Sequence, residues 1–244
     1  VALRWLAQLG LERLNAWHVR AHADAVPAVF QGAIDAATYA KSVGYTLARG
    51  RFSQLQDGFD AAVLLVVLFS GVLPWGFAQF ADHVGTGVWA MAGYVFAVGL
   101  ALAVVGLPLA WWEQFRLEER FGFNTTTQRT WWLDRVKGFV LALVLGYPLL
   151  VLVLKLVDWA GAAWWLWAWG VLLGFQFLMI VLAPVLILPL FNKFTPLPEG
   201  PLKNRLQALA ERTRFQARSI QVMDGSKRSR HANAFFTGLG RFRK

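Results

Sequence analysis

The chain has 244 residues, of which 57% are hydrophobic, 15% aromatic and only 16% charged, with a mean hydropathy of +0.46. That balance excludes an ordinary soluble domain and points to membrane spans. The absence of Cys excludes a disulfide framework, a thiolate metal site and a cysteine nucleophile. The net charge of +10 is spread over several segments rather than gathered in one patch, which is what loop charge alone produces in a multi-span protein and which excludes nucleic acid as a partner. The first residue is Val rather than Met, so residues are expected ahead of it.

Residues 1–60 are expected to form a partial first membrane helix followed by a cytoplasmic helical segment. Val1 to Leu14 reads as the end of that helix, and Val26 to Phe52 as helix with Gly breaks. His18 and His22 stand four apart, on one helical face as metal ligands require. No third ligand is apparent near them, so an interfacial helix face is the better account.

Four apolar runs are long enough to cross about 30 Å of hydrocarbon, which takes roughly 20 helical residues. They are Ala61 to Phe80, Val88 to Trp112, Gly138 to Val157 and Trp164 to Leu190. Two pairs of membrane helices therefore occupy 61–112 and 138–191, with 113–137 between them as a cytoplasmic loop. Pro148, Pro184 and Pro189 interrupt the later runs and read as kinks whose freed carbonyls are satisfied inside a bundle. Lys and Arg number six in 1–60, five in 113–137 and twelve in 192–244, and the short connections near 81–87 and 158–163 carry none. By the positive-inside rule the three basic segments face the cytoplasm. Trp75, Trp89, Trp159, Trp164 and Trp165 then form one aromatic belt, with Trp111 and Trp112 in the other.

The loop Glu118-Glu119-Arg120-Phe121-Gly122-Phe123-Asn124-Thr125-Thr126-Thr127 places a turn at Gly122 between two anchoring rings, with Asn124 or Thr125 as the cap of the next helix. Glu118 and Glu119 are not an acid/base pair, because adjacent helical residues do not share a face, and Arg116 and Arg120 are their expected ion-pair partners. After Leu190-Phe191-Asn192-Lys193-Phe194-Thr195-Pro196-Leu197, Pro201 to Thr213 reads as an amphipathic helix with Leu202, Leu206 and Leu209 on one face. Ser219 to Met223 reads as a short strand, Asp224-Gly225 as a turn, Ser226 to Arg230 as a basic loop and Asn233 to Thr237 as a second strand. The expected fold class is an all-α multi-span membrane protein, a helical barrel or bundle, with a small cytoplasmic α+β portion at its C-terminal end.

Three segments in order, E-x-x-F-G-F-N, L-F-N-x-F-x-P-L and the run from Asp224 to Gly238, resemble the integral-membrane CAAX prenyl endopeptidases, the type I zinc metalloproteases. The resemblance covers about Val26 to Gly238. It implies a barrel of seven membrane helices and a cytoplasmic metalloprotease portion that begins within 192–244 and is incomplete here. It also implies zinc as cofactor, with the H-E-x-x-H ligands and catalytic glutamate expected beyond Lys244, so that no catalytic or metal residue is expected in this chain and the chain alone is expected to be inactive. The implied partners are the lipid bilayer and a peptide or protein substrate, prenylated or membrane-associated. Oligomeric state stays open. Asn233, Ala234 and Phe235 are implied as a substrate-binding edge that holds an extended peptide through main-chain hydrogen bonds. His231 matches the histidine of the family's H-x-N, and Lys227 and Arg228 are further candidates for a substrate carboxylate. A non-catalytic membrane scaffold or peptide-binding protein is the alternative. A transporter is disfavoured by the scarcity of ionisable residues at membrane depth.

Overall fold

A computed structural model describes residues 1–215, 219–231 and 233–236. The chain forms two compact units, Val1–Asn124 and Thr125–Lys244.

In the first unit, α1 (Ala2–Ala21) and α2 (Ala36–Phe69) form an antiparallel hairpin. The pairing shows at two glycines of α2: Trp5 lies 3.7 Å from where a Cβ on Gly58 would stand, and the Glu12 carboxylate 3.4 Å from the corresponding point on Gly50. Tyr39 closes the hairpin by donating to the carbonyl of His22 at 2.7 Å. Asp35 caps α2 by accepting from the Thr38 amide at 2.8 Å, and hydrogen bonds from Thr38, through its hydroxyl first, hold the carboxyl below its usual pKa.

The first expected span is displaced. Helix α2 begins 25 residues before the apolar run Ala61 to Phe80, and the run itself is cut between α2 and α3 (Val72–Val84). Gly71 makes the cut with φ of 76°, the left-handed region that glycine enters without steric cost. Helix α4 runs from Val88 to Phe121, nine residues past its expected end. Aromatic rings fill the space between α3 and α4, where Tyr94 packs against Phe77 and Phe80 and donates to the Leu73 carbonyl at 2.6 Å. Phe52 of α2 stacks on Trp112 of α4 with ring centroids 5.0 Å apart.

In the second unit, α5 (Gln128–Trp159) and α6 (Gly161–Phe191) are two further long apolar helices. Thr127 caps α5 by accepting from the Thr130 amide, the role expected of Asn124 or Thr125. Of the expected loop 113–137, only the residues between Phe121 and Gln128 lie outside helix, because polar turns of α4 and α5 continue beyond their apolar stretches. Among the described residues four helices, α2, α4, α5 and α6, are thus long and apolar enough to cross a membrane, whereas α1 and the 13-residue α3 are not among them. Their many exposed Leu, Val, Phe and Trp side chains give them the apolar surface that membrane-crossing helices carry.

Proline shapes the two helices of the second unit. Residues Ala142–Gly146 and Ala183–Ile187 are π-helical. Pro148 and Pro189 stand four residues after Val144 and Val185, whose carbonyls their rings crowd, and a wider turn relieves that clash. The polar end of the unit is a two-stranded antiparallel sheet, β1 (Phe194–Pro196) on β2 (Gln221–Met223), with Phe194 opposite Met223 and Pro196 opposite Gln221. Strand β1 was not expected, and β2 is shorter than Ser219 to Met223. Between them α7 (Pro201–Arg212) agrees with the expected amphipathic helix. Asp224-Gly225 leads into a single 3-10 turn, Gly225–Lys227.

Candidate functional site

The sequence motifs resolve into two fasteners and one unfastened segment. In the first unit the fastener is built on α2 and α4. Residues Glu113–Glu118 of α4 are π-helical, so side chains five apart come to the same side. Arg49 of α2 uses this, reaching Glu118 at 2.9 Å and Glu113 at 3.6 Å. Glu118 is buried and also accepts from the Tyr45 hydroxyl at 2.7 Å. Its partner is therefore Arg49, 69 residues away, rather than Arg116 or Arg120. Glu119 instead accepts from the Asn124 side chain at 2.7 Å.

The turn that follows is where Gly122 was expected to act. Gly122 has φ of 77°, its amide donates to the Glu119 carbonyl, and the Phe123 amide donates to the Glu118 carbonyl, both at 2.9 Å. These are the two bonds of a Schellman motif, which satisfies the last carbonyls of α4. The rings on either side of Gly122 both close on Tyr45, at centroid distances of 5.3 Å for Phe121 and 4.8 Å for Phe123. The E-x-x-F-G-F-N segment is thus a structural clasp in the first unit.

The second fastener holds the loop after β2. Arg228 presents its planar fork to Asp134 of α5, with Nε on Oδ2 at 2.7 Å and Nη2 on Oδ1 at 3.0 Å. Its remaining Nη1 donates to the Asn192 side chain at 3.1 Å, immediately after α6. A bidentate pair of this kind fixes orientation as well as position. The Asp134 hydrogen bond raises the Arg228 pKa further above its ordinary value. Two threonines grip the same loop from the other side: Thr125 donates to the Ser226 carbonyl at 2.7 Å and Thr126 to the Arg228 carbonyl at 2.8 Å.

Asp224 extends the grip to the sheet. Its amide donates to the Lys193 carbonyl at 3.1 Å, and its carboxylate accepts from the Lys193 amide at 2.7 Å. It also pairs with Lys227 at 2.6 Å. Hydrogen bonding to Lys227 first, then to the Lys193 backbone, lowers the Asp224 pKa. Lys227 and Arg228, candidates for a substrate carboxylate, therefore both engage carboxylates of this chain.

The His231 amide donates to the Ser229 hydroxyl at 3.1 Å, and His231 is exposed. Asn233 folds back on its own backbone, its side-chain oxygen accepting from the Ala234 amide at 2.8 Å. Asn233 to Phe236 form no strand, although a strand was expected through Thr237, which lies outside the described residues together with Gly238. Aromatic content suits a strand, but a strand also needs a ladder partner, and among the described residues β1 and β2 pair only with each other. Among the described residues the main-chain groups of Phe235 and Phe236 have no hydrogen-bond partner. Phe235 is 52% exposed, and the Phe236 ring rests against Phe215 at 5.4 Å.

His18 and His22 sit with ring centroids 4.3 Å apart, and His22 Nδ1 lies 2.9 Å from the His18 carbonyl. Among the described residues no three His, Cys, Asp or Glu side chains are grouped to hold a metal ion. Sequence reasoning missed Arg49, Asp134 and the roles of Thr125, Thr126 and Asn192. Asn192 carried a signal within the L-F-N motif, and Thr125 and Thr126 lay in the quoted Glu118 to Thr127 loop, whereas Arg49 and Asp134 carried none.

These features define a multi-pass α-helical membrane protein with a braced polar end. Residues 15–193 match the family described as CAAX prenyl protease N-terminal, five membrane helices. The chain belongs to that family. It is 36% identical over 229 residues to CAAX prenyl protease 1 of Saccharomyces cerevisiae, covering 88% of this chain and 49% of that protein. The Homo sapiens CAAX prenyl protease 1 homolog is 30% identical over 221 residues, covering 88% of this chain and 46% of the relative. The crystal structure of S. mikatae Ste24p superposes with a TM-score of 0.83 at 34% identity, over 96% of this chain and 56% of that one. The chain thus spans about half the length of the curated relatives it matches.

Proposed function

We propose that this chain is the membrane scaffold and peptide-docking portion of a zinc metalloendopeptidase that cleaves C-terminal, prenylated or membrane-associated peptides. The observation that carries the reading is the exposed Asn233–Phe236 segment, whose outer main-chain groups have no partner among the described residues, directly after a loop held by Arg228. Family membership supplies the class of chemistry.

In this reading an extended substrate lies along Ala234 and Phe235 and takes main-chain hydrogen bonds from them. Such binding tolerates many sequences, because it uses groups that every peptide has. The Asn233 amide group turns from the Ala234 N–H toward the scissile region, and His231 lines the approach. Arg228 and Lys227 act as loop anchors and leave the substrate carboxylate to other groups. The basic segments, including the docking segment, face the cytoplasm, in line with the distribution of Lys and Arg. In this reading the work of this chain in the reaction is binding and positioning.

The test is peptidase activity of the full-length protein reconstituted in lipid, assayed on a farnesylated CAAX peptide. Cleavage that a chelator abolishes and added zinc restores is the expected result. A zinc-free protein that binds the peptide without cleaving it overturns the enzyme reading.

A further inference from the structure

The α1–α2 hairpin encloses a cavity of about 450 Å³ that has no part in the peptide-docking reading. Its walls include Arg13 and Arg20 from α1 and Arg51 from α2, with Glu12 as the one acidic residue. Ala16 and Gly50 add little bulk to the walls, and the Glu12 carboxylate lies 3.4 Å from where a Cβ on Gly50 would stand. Among the described residues none of the three guanidinium groups has a carboxylate partner. This distinguishes them from Arg49, one residue before Gly50, which is committed to Glu113 and Glu118.

Three exposed arginines against one carboxylate, Glu12, leave the lining with an excess of positive charge that attracts an anion. Guanidinium groups match phosphate oxygens in pairs, which makes phosphate esters the chemical class that fits. The surroundings then favour a lipid as the carrier. On α1, Leu3, Leu6, Leu14 and Trp17 form an exposed apolar stripe at helical spacing, with Leu3 at 85% and Trp17 at 68% exposure. The cavity lies beside Gly50, roughly 12 Å along α2 from Gly58 at eight residues of helical rise, on the side away from the apolar stretch that ends at Phe69. A basic pocket at the polar end of an apolar helix pair is the arrangement that holds anionic headgroups.

We propose that Arg13, Arg20 and Arg51 form a phosphate-binding site between α1 and α2 whose occupant is the headgroup of an anionic phospholipid, with its acyl chains along the Leu3–Trp17 stripe. The experiment is native mass spectrometry of the delipidated full-length protein titrated with palmitoyl-oleoyl phosphatidylglycerol, phosphatidylcholine or inorganic phosphate. The expected result is retention of phosphatidylglycerol over phosphatidylcholine and at least ten-fold weaker retention in R13A/R51A. R205A/R212A, which removes the same charge from α7, should bind as the parent does. Ala16→Leu fills the cavity without altering charge and is expected to weaken binding as well, so the test survives if the arginine variant fails to fold. Binding unchanged in both R13A/R51A and Ala16→Leu overturns the site. Inorganic phosphate that binds alone and displaces the lipid overturns the lipid assignment.

Discussion

Two neighbouring stretches of the second unit are treated very differently by the fold. From Asp224 to Arg228, side chains and backbone are tied to β1, α5, the end of α6 and the Thr125–Thr126 pair. From Asn233 to Phe236, the described contacts are one local hydrogen bond and one ring contact. The difference teaches that Lys227 and Arg228, which look like ligand-binding groups, engage carboxylates of the chain, whereas Phe235 and Phe236 after them have main-chain groups without a partner among the described residues. A braced base with a free edge is what strand addition requires, because the docking groups must be held in position before the peptide arrives.

The comparison is most strongly tested at its brace. Arg228→Ala removes three hydrogen bonds and leaves Asp134 without its bidentate partner, and it should destabilise the protein by about 2 kcal/mol, the scale of charged hydrogen bonds at a partly exposed site. Thermal unfolding in detergent measures this. Lys227→Ala at a more exposed position should change little, and equal losses from the two would mean that charge rather than the fork geometry matters. At the free edge, Phe235→Pro deletes one main-chain donor and should lower kcat/KM on a peptide substrate about ten-fold, the worth of one hydrogen bond, with no drop in melting temperature. A drop in stability instead would place Phe235 inside the brace.

The smallest effect is in pH. Asp224 has its pKa lowered in the folded chain, so its contribution is fully present above the ordinary aspartate value of about 3.9 and is lost as the pH falls through the lower folded value. Protease sensitivity of the 224–228 loop should therefore stay flat from neutral pH to about 4 and rise only below it.

Much of this organisation could be read from the chain, for reasons that are local. Apolar length marked the long helices, and Phe121-Gly122-Phe123 announced its own turn because Gly122 and its flanking rings act within three residues. What escaped was non-local or insensitive to composition. Glu118 was assigned to Arg116 or Arg120 because those are its neighbours in sequence, yet a π-helical stretch turns it toward Arg49. Hydropathy does not register helical pitch, so the wide turns before Pro148 and Pro189 were read only as kinks. Strand β1 is three residues long and contains Pro196, which gives almost no strand signal without β2 beside it. The Asn233–Thr237 strand was inferred from aromatic content, which reports propensity but not whether a partner strand is present.

Hydrogen–deuterium exchange of the full-length protein with and without a saturating farnesylated CAAX peptide tests the docking claim most directly. The account predicts that the amides of Phe235 and Phe236 exchange fast in the free protein and become protected when peptide binds, while those of Lys227 and Arg228 are slow in both states. Unchanged exchange at Phe235 and Phe236 in the presence of bound peptide would contradict it.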